Sequence, residues 1–151
     1  MQFVNALNER KTELIPLACS WLEIFGILEM IPIVDKDTGF IYNRHKDTDG
    51  EYLAFAGVVN EGEYREELVI PSEFDGLPVK SYAADYLYVD CPVVLPETME
   101  FFEFEDYYSG GYSVNTFEVS DNHKYFTVYD GVLYDKDMTT IIAYPQDKTD
   151  A

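Results

Sequence analysis

Apolar residues recur at helical spacing over residues 2–30 and switch to alternation after Pro32. In the first segment Leu7, Leu14, Trp21 and Leu28 stand seven apart, with Ala18 and Phe25 between them, an apolar stripe along one side of a helix. Pro16 lacks the amide hydrogen a helix interior requires, so a break or kink is expected near Ile15. A helix of this kind covers the end of a sheet or docks on a partner.

Beyond Pro32 the runs IPIV and FIYN flank DKDTG, a hairpin signal, and KDTDG marks a further turn before the strand-like EYLAFAGVV. Asp-rich turns invite a calcium reading. An EF-hand loop beginning at Asp35 would need an oxygen-bearing side chain at its fifth position and Glu at its twelfth, where the chain has Gly39 and Lys46. Turn formation accounts for these Asp and Gly residues instead.

From residue 68 a repeat emerges. LVIP ends at Pro71, VVLP at Pro96, FEVS at Ser120 and IAYP at Pro145, at intervals of 25, 24 and 25 residues. Each is a strand-like triplet followed by a stop; proline ends a strand because it cannot donate to a continuing ladder. Alternation assigns Leu68 and Ile70, Val93 and Leu95, Phe117 and Val119, Ile142 and Tyr144 to the inside, with Val69, Val94, Glu118 and Ala143 outside. All eight inward positions are apolar or aromatic. Periods of about 20–29 residues belong to leucine-rich repeats, whose units bury their apolar faces only by stacking.

LVIPSEFDGLPVKSY (68–82) resembles the IPxxxDGxPVxxI unit of BspA-type bacterial leucine-rich repeats. FEVSDNHKYFTVYDGVLYDKDMTTIIAYPQDK (117–148) resembles a second segment of that family through Val119, Asn122, Tyr125, the DGVLY run from Asp130 to Tyr134, Lys136, Asp137, Thr140, Tyr144 and Pro145. The middle unit departs from the pattern: FFEFEDYYSGGYS follows Met99 where the family has IGxxAFxxC, and residues 1–50 lie outside the resemblance. The resemblance implies protein recognition at, or adhesion to, bacterial surfaces. DGVLYDKDMTTIIAYP reads as a hairpin, with Val132 to Tyr134, a turn over Asp135 to Met138, then Thr139 to Tyr144.

The fold expected is therefore mostly β (α+β): a short leucine-rich-repeat-like solenoid under an N-terminal helical cap. Residues 1–50 form the cap and hairpin and 51–151 the repeat, in one compact domain. Segments 68–70, 93–95, 117–119 and 141–144 are expected to be neighbours in one sheet.

Charge narrows the partners. Against 29 acidic residues stand 10 Lys and Arg, a net charge of −19. Such a surface repels nucleic acid and anionic membranes; it attracts a basic protein or keeps a Tyr-rich chain soluble. The apolar run behind Lys11 is interrupted by Glu23 and Glu29. It fits neither a secretory core of about 7–15 apolar residues nor a span of about 20. The chain as given reads as cytoplasmic, whereas the family resemblance implies cell-surface or secreted placement.

Little catalytic chemistry is visible. Cys19 and Cys91 read as buried thiols, and His45 and His123 are the only histidines, with His123 expected in an exposed turn. Zinc spacing, a nucleophile elbow and a phosphate loop are all missing from the sequence. Gly110 and Gly111 between tyrosines read as a turn. No enzyme activity, cofactor or metal is expected.

The segment 81–123 contains no Lys or Arg and concentrates acids beside tyrosines. Glu100, Glu103, Glu105, Asp106, Tyr107, Tyr108, Tyr112 and Glu118 form the candidate partner-binding patch, in which tyrosine supplies contact area at low entropic cost and carboxylates select a basic protein. The same residues read alternatively as a solvated surface over buried aromatics. Two functions follow: a non-catalytic protein-binding module, or an acidic decoy that mimics nucleic acid to block a basic partner. A monomer or weak dimer is expected, with no membrane insertion.

Overall fold

Asp-containing turns bend the chain after Pro32 back on itself, and strands follow from there to Ala143. The computed structural model describes residues 31–84, 87–103 and 113–145. The chain divides into two compact units, Met1–Pro32 and Ile33–Ala151, and every described strand belongs to the second.

β1 (Ile33–Val34) and β2 (Phe40–Asp47) form the hairpin expected around DKDTG, pairing Ile33 with Tyr42. Asp35 makes that turn: Oδ1 accepts from the Asp37 amide at 2.9 Å and Oδ2 from the Thr38 hydroxyl at 2.9 Å. The Asp37 amide, then the Thr38 hydroxyl, hold its carboxyl below the usual range. Thr48 and Asp49 link β2 to β3 (Gly50–Val58), whose apolar run is buried on both faces from Tyr52 to Phe55.

β4 (Leu68–Val69) follows, then β5 (Glu73–Phe74) and β6 (Leu77–Tyr82) joined by Asp75 and Gly76. Both turn residues have positive φ, 53° and 77°, the type I′ geometry that an Asp-Gly pair supplies. β6 lies parallel to β3 on one side and to β8 (Phe101–Phe102) on the other, completing a six-stranded sheet with β1, β2 and β5.

The second sheet is parallel throughout: β4, β7 (Tyr88–Val94) and β9 (Ser113–Glu118). Leu68 pairs with Val93, and Val93 with Phe117, so the first three triplets lie side by side in register. Ile70 and Leu95 are buried, Val119 only partly. β10 (Phe126–Tyr129), β11 (Val132–Asp135) and β12 (Ile141–Ala143) make the third sheet, an antiparallel meander.

That meander overturns the expected architecture. The described strands are distributed over three sheets with no helix among them, in place of a short leucine-rich-repeat-like solenoid. The fourth triplet pairs antiparallel with β11 and not with β9. Its facing differs as well: Ala143 is buried and Tyr144 exposed, while Ile142 is half-buried against the core. The cause is local. Asp130 and Gly131, with positive φ of 51° and 78°, close the two-residue turn from β10 to β11, and residues 136–140, ordered by the Asp135 carboxylate, turn β11 into β12. Closing that short turn costs less chain entropy than closing a parallel crossover, by roughly 1 kcal/mol. The helical reading of residues 2–30, and Cys19 with it, lies outside the described residues.

One aromatic core joins the sheets. Tyr82 stacks on Phe102 with centroids 4.6 Å apart and meets Phe55 at 5.6 Å and Phe117 at 5.7 Å, and Phe102 meets Phe126 of the meander at 5.6 Å. Tyr42 stacks on Phe74 near the edge, and burial, followed by the Asp35 charge, pushes its phenol up to about 12.

His123 corrects another expectation: it is fully buried rather than exposed in its turn. Its Nδ1 accepts from the amides of Tyr125 (3.1 Å) and Phe126 (3.2 Å), which leaves Nε2 to donate to the Pro96 carbonyl at 3.0 Å. The imidazole thus supplies partners that backbone groups at the start of β10 lack in the ladder. Cys91 is a free, buried thiol as expected, and burial raises its pKa.

Candidate functional site

The two-residue turn between β2 and β3 sets His45 opposite Tyr52 and brings Asp47 and Asp49 to the sheet end. Alternation places His45 and Asp47 on one face of β2. The parallel strand β6 then delivers Lys80 and Ser81, and the segment around β8 delivers Glu100 and Glu103.

Lys80 is the centre of this group. Its ammonium lies 2.8 Å from Asp47 Oδ2, 3.8 Å from Glu100 Oε1 and 3.9 Å from Asp49 Oδ2. It also sits 5.4 Å from the Tyr52 ring centroid, a cation–π contact. The side chain is buried, and a buried ammonium requires this kind of pairing. Its hydrogen bond to Asp47 holds the Lys80 pKa above the ordinary value and the Asp47 pKa below it.

Glu103 organises the other half. Oε1 accepts from the Ser81 hydroxyl at 3.1 Å and from the Tyr52 hydroxyl at 3.5 Å; Oε2 lies 3.6 Å from His45 Nε2. His45 stacks on Tyr52 with ring centroids 5.6 Å apart. Burial, and then the Glu103 charge, raises the Tyr52 pKa. Phe101 packs edge-on against Tyr52 and remains partly exposed. Glu100 accepts from the Tyr125 hydroxyl at 3.4 Å, tying this group to the segment entering the meander.

Of the sequence-predicted patch, the structure brings Glu100 and Glu103 together. Glu118 is exposed on β9, in the other sheet. Glu105, Asp106, Tyr107, Tyr108 and Tyr112 lie outside the described residues. His45, Asp47, Asp49, Tyr52, Lys80 and Ser81 were not singled out from sequence as a site. A signal was present: Lys80 is the only Lys or Arg between Arg65 and Lys124.

A second surface is the outer face of the parallel sheet, where Val69 and Tyr88 are exposed beside Glu118. A third is a groove of 430 Å³ between β8 and the meander. Among the described residues no group of His, Cys, Asp and Glu is arranged to hold a metal ion, and no helix is long and apolar enough to cross a membrane.

The bridge between Asp47 and Lys80 fixes a pH window. The lowered Asp47 pKa contributes stability that is present above the unfolded value of 3.8 and lost as pH falls through the folded value. The raised Lys80 pKa contributes stability present below 10.5 and lost as pH rises through its folded value. Lys80→Met should therefore lower Tm between these limits. Thermal melts across pH should show the deficit shrinking once Asp47 is protonated in the folded wild type; a deficit independent of pH would reduce Lys80 to a packing element.

The chain matches no family model, no curated protein and no solved structure.

Proposed function

We propose that this protein is a non-catalytic protein-binding module that recognises a basic partner. The observation that carries the reading is the convergence of Asp47, Asp49, Glu100 and Glu103 around the single Lys80 ammonium, with His45, Tyr52 and Phe101 beside them. One cation leaves these carboxylates in excess, and the rings add contact area that costs little ordering entropy on binding. Reaction chemistry gains no support at this site. The ammonium is held protonated rather than poised as a nucleophile, and the Ser81 hydroxyl is spent on the Glu103 carboxylate. The resemblance to BspA-type repeats extends the proposal to surface recognition or adhesion.

The net charge of −19 also favours the reading as an acidic decoy in place of nucleic acid. A decoy needs carboxylates in a phosphate-like row. Glu97 instead accepts from Ser120, Glu100 faces Lys80 and Tyr125, and Glu103 accepts from Ser81, which lends the decoy little support.

The test is affinity capture by the immobilised full chain at low and at physiological salt, with the double variant Asp49→Lys/Glu103→Lys alongside. Basic proteins should be retained by the wild type and lost from the double variant, while Glu73→Lys retains them. Retention by the double variant, or a wild-type set without basic proteins, would reject this surface as the recognition site. Displacement of the captured proteins by duplex DNA would favour the decoy.

A further inference from the structure

The groove between β8 and the meander is the least explained feature of the molecule. Its floor is aromatic: Phe102 and Phe126 meet edge to face at 5.6 Å, Phe126 within the core and Phe102 packed against it. Its walls are apolar yet open to solvent, since Ile141 is 56% exposed and Phe101 37%. A scattered exposed apolar residue needs no explanation, but two flanking one concave space of 430 Å³ do. Ligand-sized pockets run from about 300 to 1,000 Å³. The space therefore holds a large side chain and its neighbours, not a whole domain.

Carboxylates complete the lining at Glu100 and Asp135. Asp135 is fixed in place, accepting from the amides of Thr139 (2.7 Å) and Thr140 (3.0 Å) and from the Thr139 hydroxyl at 2.6 Å. Those bonds, the Thr139 hydroxyl first, keep its carboxyl ionised below the usual range. Glu100 shares Lys80 with Asp47 and Asp49, so the charge on that side remains negative.

We propose that this groove binds a short segment of the basic partner, seating a large apolar or aromatic side chain against Phe102 and Phe126 while a neighbouring Lys or Arg reaches Glu100 or Asp135. The proposal rests on the protein-binding reading above and names what that partner presents. Charge decides the occupant. A second copy of this chain brings another net charge of −19 to a carboxylate-lined groove, whereas a basic segment meets charge complementarity and an aromatic floor together. The groove lies beside the Lys80 surface through Glu100, so one partner can engage both.

Fluorescence polarisation with three labelled peptides tests this on the full chain: acetyl-Gly-Arg-Phe-Arg-Gly-amide, its Phe-to-Gly analogue and its Arg-to-Glu analogue. The first should bind saturably and the other two about tenfold more weakly or worse. Ile141→Lys, an exposed change confirmed as folded by its melt, should weaken the first peptide by about tenfold, the loss of one anchor. Val69→Lys, on the outer face of the other sheet, should leave it unchanged. Equal binding of the Phe-to-Gly analogue would overturn the groove as an anchor site. So would binding lost in Asp49→Lys but kept in Ile141→Lys, an outcome that leaves protein binding standing. Absence of saturable peptide binding also overturns the groove, and the capture experiment then decides the broader reading by itself. A dimer in sedimentation that Ile141→Lys dissolves would replace the partner with a second copy.

Discussion

Phe117→Ala is expected to destabilise the fold by about 3–5 kcal/mol, the range for removing a fully buried aromatic ring. Phe117 is wholly buried on β9 and meets Tyr82 and Phe102, each at 5.7 Å between centroids. The residue therefore couples the parallel sheet to the six-stranded sheet, and the void left behind has no exposed side through which to collapse. Phe101→Ala is the control. Its neighbour in sequence, Phe102, points into the core, whereas Phe101 is 37% exposed at the sheet edge. Its loss should cost about 1–2 kcal/mol, because over a third of its area is already in water. Urea unfolding decides between them: the Phe117 variant should shift the midpoint strongly at nearly constant slope. A small shift would mean that the sheets do not depend on this ring for their packing.

His123→Ala is expected to cost about 3 kcal/mol or more, through hydrogen bonding rather than volume. Removing the imidazole leaves the amides of Tyr125 and Phe126 and the Pro96 carbonyl without the partners it supplies. Each unsatisfied buried polar group costs about 1–3 kcal/mol. Two further substitutions separate the contributions. His123→Leu restores apolar volume but no hydrogen bond and should recover little. His123→Asn offers an oxygen near the position of Nδ1, so it should recover the two amides and lose only the bond to Pro96. Chemical denaturation of the three variants should rank Asn above Leu and Ala; Leu ranking highest would assign His123 to packing alone.

Both residues show where sequence reasoning stops. Phe117 was readable as inward from the alternation of FEVS, and its partner Val93 from the spacing of 24 between stops. His123 carried the opposite expectation because SDNHK has the composition of a solvated turn. Polar composition reports what a segment can bond to and leaves open whether water or the chain supplies the bonds. Here Pro96, 27 residues earlier, receives the donor hydrogen bond. The candidate site divides the same way. Glu100 and Glu103 were visible as members of an acidic run, but their counterpart Lys80 and the residues His45, Asp47 and Tyr52 come from strands that only tertiary pairing joins.

The sequence by itself determined the local events. Asp-Gly pairs at 75–76 and 130–131 close two-residue turns, Asp35 and Asp135 order the DKD turns through their own carboxylates, and alternation separates Leu68 and Val93 from Val69 and Val94. These effects act over a few residues, so a few residues suffice to read them. Tertiary structure alone decided the pairings that no short turn dictates. The fourth triplet had the spacing and the apolar residues to lie beside the third, yet it folds back onto β11 across residues 136–140, the hairpin that DGVLYDKDMTTIIAYP also offers. A parallel crossover must first close a loop of some 25 residues. Pairings with no such short turn belong to the whole fold: β6 lies between β3 and β8, which brings Lys80 to Asp47 and Glu100, beside which the groove opens.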